Sequence, residues 1–219
     1  MYSGYSGHYW MILVLGSYDP KTEKILSKLK DDIPRRLMTQ NDNILVFLLR
    51  DIDIYLVDYT EESKAKKVTL IAEKYADKTT ILTLNEENIL NSEDAAADSS
   101  SVDQQVANYA TTKYSEAKIN KLPILEKLRQ LAGGVSLTLL IREEELTRGG
   151  EYIELAFLLG SATLQPSKVF FLKREGFDLS EMGWEILAYY GVNFRPYKDE
   201  QSLCKETTRL IKYFITKHQ

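Results

Sequence analysis

Cysteine and histidine are nearly missing from this chain. One cysteine, Cys204, stands alone among 219 residues, so neither an intrachain disulfide nor a multi-cysteine metal site can form. Two histidines, His8 and His218, lie near opposite ends, which argues against a Ser-His-Asp or Cys-His engine and against a His-ligated metal core. Long apolar runs are absent too. A segment such as Val135 to Ile141 is far shorter than the roughly 20 residues that span a bilayer. No cationic segment followed by an apolar one opens the chain, which predicts a cytoplasmic protein. The net charge of -4 argues against a general nucleic-acid binder, though it leaves room for a local basic patch. What remains for chemistry is carboxylates, Lys, Arg, Tyr, Ser and bound ligands.

What is present is an ordinary globular balance, 44% hydrophobic and 27% charged. Residues 1–10, rich in Gly, Ser and aromatics, read as a flexible extension. Met11 to Gly16 reads as a buried strand. Ser17, Asp19 and Pro20 then open a helix carrying Ile25, Leu26, Leu29 and Ile33, which Pro34 ends or kinks. Ile44 to Leu49 fits a strand or a short helix; Asn41 to Asn43 as caps favour the helix. Asp53 to Asp58 is a strand, Glu61 to Tyr75 a helix and Thr79 to Leu84 a strand. Residues 91–105 are small, polar and acidic, an exposed excursion with too little apolar surface to offset ordering entropy.

After Val106 the pattern is helical, broken at Pro123 and closed by Gly133 and Gly134. Val135 to Ile141 is a strand, Gly150 to Leu159 a helix and Val169 to Leu172 a strand. Ser180 caps a helix with Ile186, Leu187 and Tyr190, Val192 to Phe194 is a short strand, and Asp199 to Lys217 a last helix. This alternation predicts one α/β domain over residues 11–217. Its sheet is doubly wound, mainly parallel, of five or six strands, with helices on both faces. Trp184, Tyr189 and Tyr190 form either an interaction surface or the core of a helix packed on the sheet.

Ligands of such sheets bind outside the carboxyl ends of the strands. Gly16, Ser17, Tyr18 and Asp19 follow the first strand, where a glycine admits a ligand to the backbone and a helix N-terminus favours phosphate. The same residues suit an ordinary strand–helix turn. Asp58, followed by Tyr59, either accepts ribose hydroxyl bonds or caps the next helix. The richest stretch is Arg148-Gly149-Gly150-Glu151-Tyr152-Ile153-Glu154-Leu155-Ala156. Two glycines permit a close approach, and Glu154 sits in an apolar helical pattern. A carboxylate there is costly unless it pairs, for instance with Arg142 or Arg148, or serves chemistry.

The Gly150-to-Glu154 spacing, with Leu155-Ala156 after it, resembles the nucleoside deoxyribosyltransferase-like proteins. The overall layout is similar to that of TIR-type NAD hydrolases, which carry a catalytic Glu on a helix of a flavodoxin-like, Rossmann-like domain. The resemblance takes in the Leu15-to-Pro20 opening and the alternation from about residue 11 to 217. The transferase pattern has an Asp two residues before the key Gly; this chain has Arg148, which suits a phosphate or carboxylate instead.

The resemblance implies cleavage of an N-glycosidic bond in a nucleotide, nucleoside or NAD, by hydrolysis or transfer. Glu154 acts as the catalytic carboxylate. Arg148, Gly149 and Gly150 hold a phosphate, and Tyr18 or Tyr59 stacks on a base. No cofactor or metal is required; NAD or a nucleotide is the substrate. A non-catalytic nucleotide-binding module that signals as a homo-oligomer is the alternative on the same fold. Neither reading involves a membrane or nucleic acid.

Overall fold

The computed structural model describes residues 9–17, 19–37, 43–75, 78–84, 90–94, 101–143, 156, 159, 160, 165–176 and 178–218. The chain divides into two compact units, one built from residues 9–49 and 128–219 and the other from residues 50–127.

The first unit is the expected parallel sheet. Its strands are β1 (Tyr9–Gly16), β2 (Asn43–Leu48), β8 (Leu137–Arg142), β9 (Val169–Arg174) and β10 (Asn193–Tyr197). They lie in the order β10-β9-β8-β1-β2, every neighbouring pair parallel. Counted along this unit the order is 2-1-3-4-5, that of a flavodoxin-like sheet, with its reversal between β1 and β8. The central strands read as unbroken apolar runs because both faces are covered: residues 11–16 of β1 and all of β8 are buried. Helices α1 (Pro20–Leu37) and α5 (Glu200–His218) cover one face. Ile25, Leu26, Leu29 and Ile33 of α1 and Leu203, Leu210, Ile211 and Phe214 of α5 share a core cluster with Ile12, Val14, Leu139 and Ile141. Pro34 does not stop α1; it falls in the last turn, where one missing backbone donor is tolerated.

Ile44 to Leu49 proves to be strand, not helix. Six residues are too few to nucleate a helix, while pairing with β1 buries Val46, Phe47 and Leu48. The remaining helices of this unit include α3 (Ile124–Gly134), which starts in the other unit, and α4 (Glu181–Tyr190). Ser180 Oγ caps α4, accepting from the Gly183 amide at 3.2 Å, and Gly191 ends it with φ +63°. Of the three aromatics noted on α4, none lies in the core. Tyr189 is 83% exposed and Trp184 42%; Trp184 meets Phe194 edge-on at 5.0 Å. They sit on the outer side because Gly183 and Leu187 supply the inward face.

The second unit was not legible as such. Its sheet is antiparallel, in the order β6-β5-β4-β3-β7, with β3 (Ile52–Glu61), β4 (Lys64–Tyr75), β5 (Lys78–Leu84), β6 (Leu90–Asp94) and β7 (Lys118–Lys121). Helix α2 (Val102–Lys113) packs on it, with Val106 and Ala110 against Tyr55, Val57, Val68, Leu70, Ala72 and Ile81. The expected single doubly wound sheet is therefore only part of the fold. The expected helix from Glu61 to Tyr75 is a hairpin strand. Glu62 and Ser63 take φ of 51° and 62°, a two-residue turn that matches strand twist without the usual glycine or asparagine. The acidic excursion starts as strand too: residues 90–94 pair with β5, and residues 95–100 lie outside the described ones. Among the described residues no helix is long and apolar enough to cross a membrane, and no cluster of three or more His, Cys, Asp or Glu is arranged to hold a metal.

Candidate functional site

The carboxyl edge of the parallel sheet is where strands β1, β8, β9 and β10 release their chains. At the end of β1, Gly16 lies opposite Ile141. A Cβ on Gly16 would stand 3.0 Å from the Ile141 carbonyl oxygen and 3.2 Å from the Leu26 side chain. A side chain here would force the Ile141 carbonyl or Leu26 to give by a few tenths of an ångström, so glycine suits the close strand–helix packing. Ser17 follows, partly exposed, and Tyr18 lies outside the described residues.

Asp19 is the cap of α1. Its Oδ1 accepts from the Lys21 and Thr22 amides, each at 3.0 Å, and its carbonyl accepts from the Glu23 amide at 2.9 Å. Partial burial pushes the Asp19 carboxyl up, but hydrogen bonds from Thr22, Ser17 and Lys21 outweigh it and hold the group below the usual carboxylate range. The amides that sequence reasoning offered to a phosphate are occupied by this carboxylate.

A buried cluster that the sequence did not announce closes the other side of the edge. Glu143, the residue after β8, is 4% exposed. Its Oε1 accepts from Arg174 at 2.5 Å, at the end of β9, and its Oε2 accepts from the Tyr197 hydroxyl at 2.7 Å, at the end of β10. The same hydroxyl lies 3.0 Å from the Arg142 carbonyl. Burial and the bond to Glu143 push the Tyr197 phenol up, so it stays a donor. Both oxygens of Glu143 are bonded, so this carboxylate ties three strand ends together.

Asp58 and Tyr59 do not follow a strand of the parallel sheet. Both lie within β3 of the antiparallel unit. Asp58 pairs with its cross-strand neighbour Lys67 at 3.4 Å, and Tyr59 packs on Tyr114 with ring centres 4.7 Å apart. No helix follows for Asp58 to cap. Arg148, Gly149, Gly150 and Glu154 lie outside the described residues.

The antiparallel unit has its own charged centre. Lys121 Nζ lies 2.8 Å from Asp53 and 2.9 Å from Asp103, and Asp103 also accepts from the Tyr55 hydroxyl at 2.5 Å. The bonds it donates to Asp53 and Asp103 push the Lys121 ammonium up, so it remains a cation. Lys127 Nζ, buried, donates to the Ile52 carbonyl at 2.6 Å. These groups are mutually satisfied and clamp β3, β7 and α2. Compared with protein-family models, with curated proteins and with solved structures, the chain shows no match.

Proposed function

We propose that the protein binds a nucleotide, NAD or a nucleoside phosphate, at the carboxyl edge of its parallel sheet and breaks that ligand's N-glycosidic bond. The observation that carries this reading is the 2-1-3-4-5 strand order. It places a reversal between β1 and β8, where sheets of this kind hold ligands. β1 ends there in Gly16 and Ser17, and β8 runs through Glu143 into the sequence that holds Arg148, Gly149, Gly150 and Glu154.

Glu154 serves as the carboxylate. As the C1′–N bond lengthens, the base departs with the bonding pair and the sugar becomes oxocarbenium-like; a negative charge beside C1′ stabilises it. Attack by Glu154 or by water then completes the bond to C1′, and water or an acceptor base supplies the final partner. Arg148 and the Gly149-Gly150 amides hold phosphate, and Tyr18 offers a face for the base. Glu143, bound through its two oxygens to Arg174 and Tyr197, takes a positioning role in this reading.

Incubating the purified protein with NAD and with nucleoside monophosphates, and separating the products by chromatography, tests the reading. Release of free base supports it. Tight binding without release supports instead a nucleotide-binding module that signals in a homo-oligomer. Neither binding nor release removes both.

A further inference from the structure

A cleft lies at the amino end of the parallel sheet, opposite the candidate catalytic edge. It is framed by the amino ends of β9 and β10 and by the last turns of α5, and encloses about 450 Å³. That volume falls in the range of about 300–1,000 Å³ typical of small-molecule sites. Its floor is Phe170, its outer lip is Asn193 and Arg195 of the edge strand, and its wall is α5. Arg209, Tyr213 and Lys217 stand four residues apart along that helix and so share one face.

The lining has one sign of charge. Arg195, Arg209 and Lys217 contribute it, and no lining residue is acidic. Arg209 is neutralised by Glu206 at 2.8 Å. Among the described residues Arg195 donates only to the neighbouring Phe194 carbonyl, at 2.9 Å, and Lys217 forms no ion pair. Two cations with no ion pair among the described residues thus line the cleft. Tyr213, one turn before Lys217 on the helix, lines it too, a large ring left 61% exposed. The chemistry this arrangement takes is an anion attached to a flat ring. Phosphate meets Arg195 and Lys217, and the ring lies on Tyr213.

We propose that this cleft is a binding site for a phosphate-bearing ring ligand of the mononucleotide class. The site does not rest on Glu154 or on the N-glycosidic reading. It lies at the amino end of the strands, and the candidate catalytic edge lies at their carboxyl end.

Isothermal titration of the full chain with AMP tests it, with inorganic phosphate and adenosine as probes of each half of the ligand. AMP is expected to bind at least about tenfold more tightly than either half. Arg195→Ala and Lys217→Ala are each expected to weaken AMP by about tenfold, and Tyr213→Ala by a comparable factor. All three side chains are exposed, so circular dichroism should be unchanged. Photo-labelling with an azido-AMP, followed by peptide mapping, should mark the peptide carrying Tyr213. The proposal is overturned if AMP gives no heat at millimolar concentration, or if the Arg195→Ala/Lys217→Ala double variant binds it unchanged. A label found only on a peptide from residues 144–155 overturns it too, while leaving the catalytic reading standing. Base release from NAD, present or absent, does not bear on this outcome.

Discussion

Asp19 shows how one side chain decides what a helix end can do. The sequence offers a strand, a glycine and a helix start, which reads equally as a phosphate cradle or as a turn. The geometry makes the carboxylate itself the anion at the helix N-terminus, accepting from the Lys21 and Thr22 amides. Asp19→Ala is expected to lower stability by about 1 kcal/mol at neutral pH, a typical cap loss. Because the folded group titrates below its unfolded value, its stabilisation is present above about pH 4 and fades as pH falls through the folded pKa. Melts of both proteins from pH 7 to pH 3 should show the gap shrinking at the acid end; a constant gap would contradict this. Glu143 was invisible in the sequence for a different reason. It opens the run Glu143-Glu144-Glu145, and no pattern tells which glutamate follows a strand inward. Only the partners Arg174 and Tyr197, 31 and 54 residues away, reveal it. Arg174→Met would take from the buried Glu143 carboxylate its Arg partner and leave the Tyr197 bond. A loss of about 3 kcal/mol is expected in denaturant unfolding, as for a broken buried pair, and a loss within about 0.5 kcal/mol would mean that the carboxylate relaxes to water.

Elements of the parallel unit were legible where burial leaves a strong signature. β1, β8 and β9 are short apolar runs bounded by breakers, and α1 and α5 repeat their apolar residues at helical spacing. β4 was not legible: Glu61 to Ser63 imitate an acidic helix start, and Lys64, Lys66 and Lys67 dilute the strand alternation. Its register is set by the positive-φ turn at Glu62 and Ser63, which residue type does not advertise. The Gly16 contact belongs to this scale too, since it joins β1, β8 and α1. Gly16→Ala would press a methyl against the Ile141 carbonyl, a backbone atom with little freedom to move. A loss of about 1–3 kcal/mol is expected, measured by urea unfolding. An unchanged midpoint would show that α1 shifts freely away from the sheet.

At the scale of the whole molecule, the chain interrupts a parallel sheet after β2 and resumes it at β8. Residues 50–127 form the intervening unit, whose two ends meet where Lys127 Nζ reaches the Ile52 carbonyl. Alternation alone reads this as continuous βα winding, because strand direction is a tertiary property. Replacing residues 51–126 with a short glycine-rich linker should leave a cooperatively melting α/β protein by circular dichroism; a non-cooperative product would show that the parallel unit depends on its insertion. The proposed chemistry belongs to the parallel unit and to the segment that leaves β8. Its most direct test is turnover of NAD or a nucleoside monophosphate by the wild type and Glu154→Gln, with thermal melts of both. Removing the charge that stabilises a cationic sugar is expected to slow base release by about 10²- to 10⁴-fold, each 1.36 kcal/mol being tenfold, with the melting temperature unchanged or raised. Unaltered turnover together with a large fall in melting temperature would make Glu154 a structural residue and contradict the account.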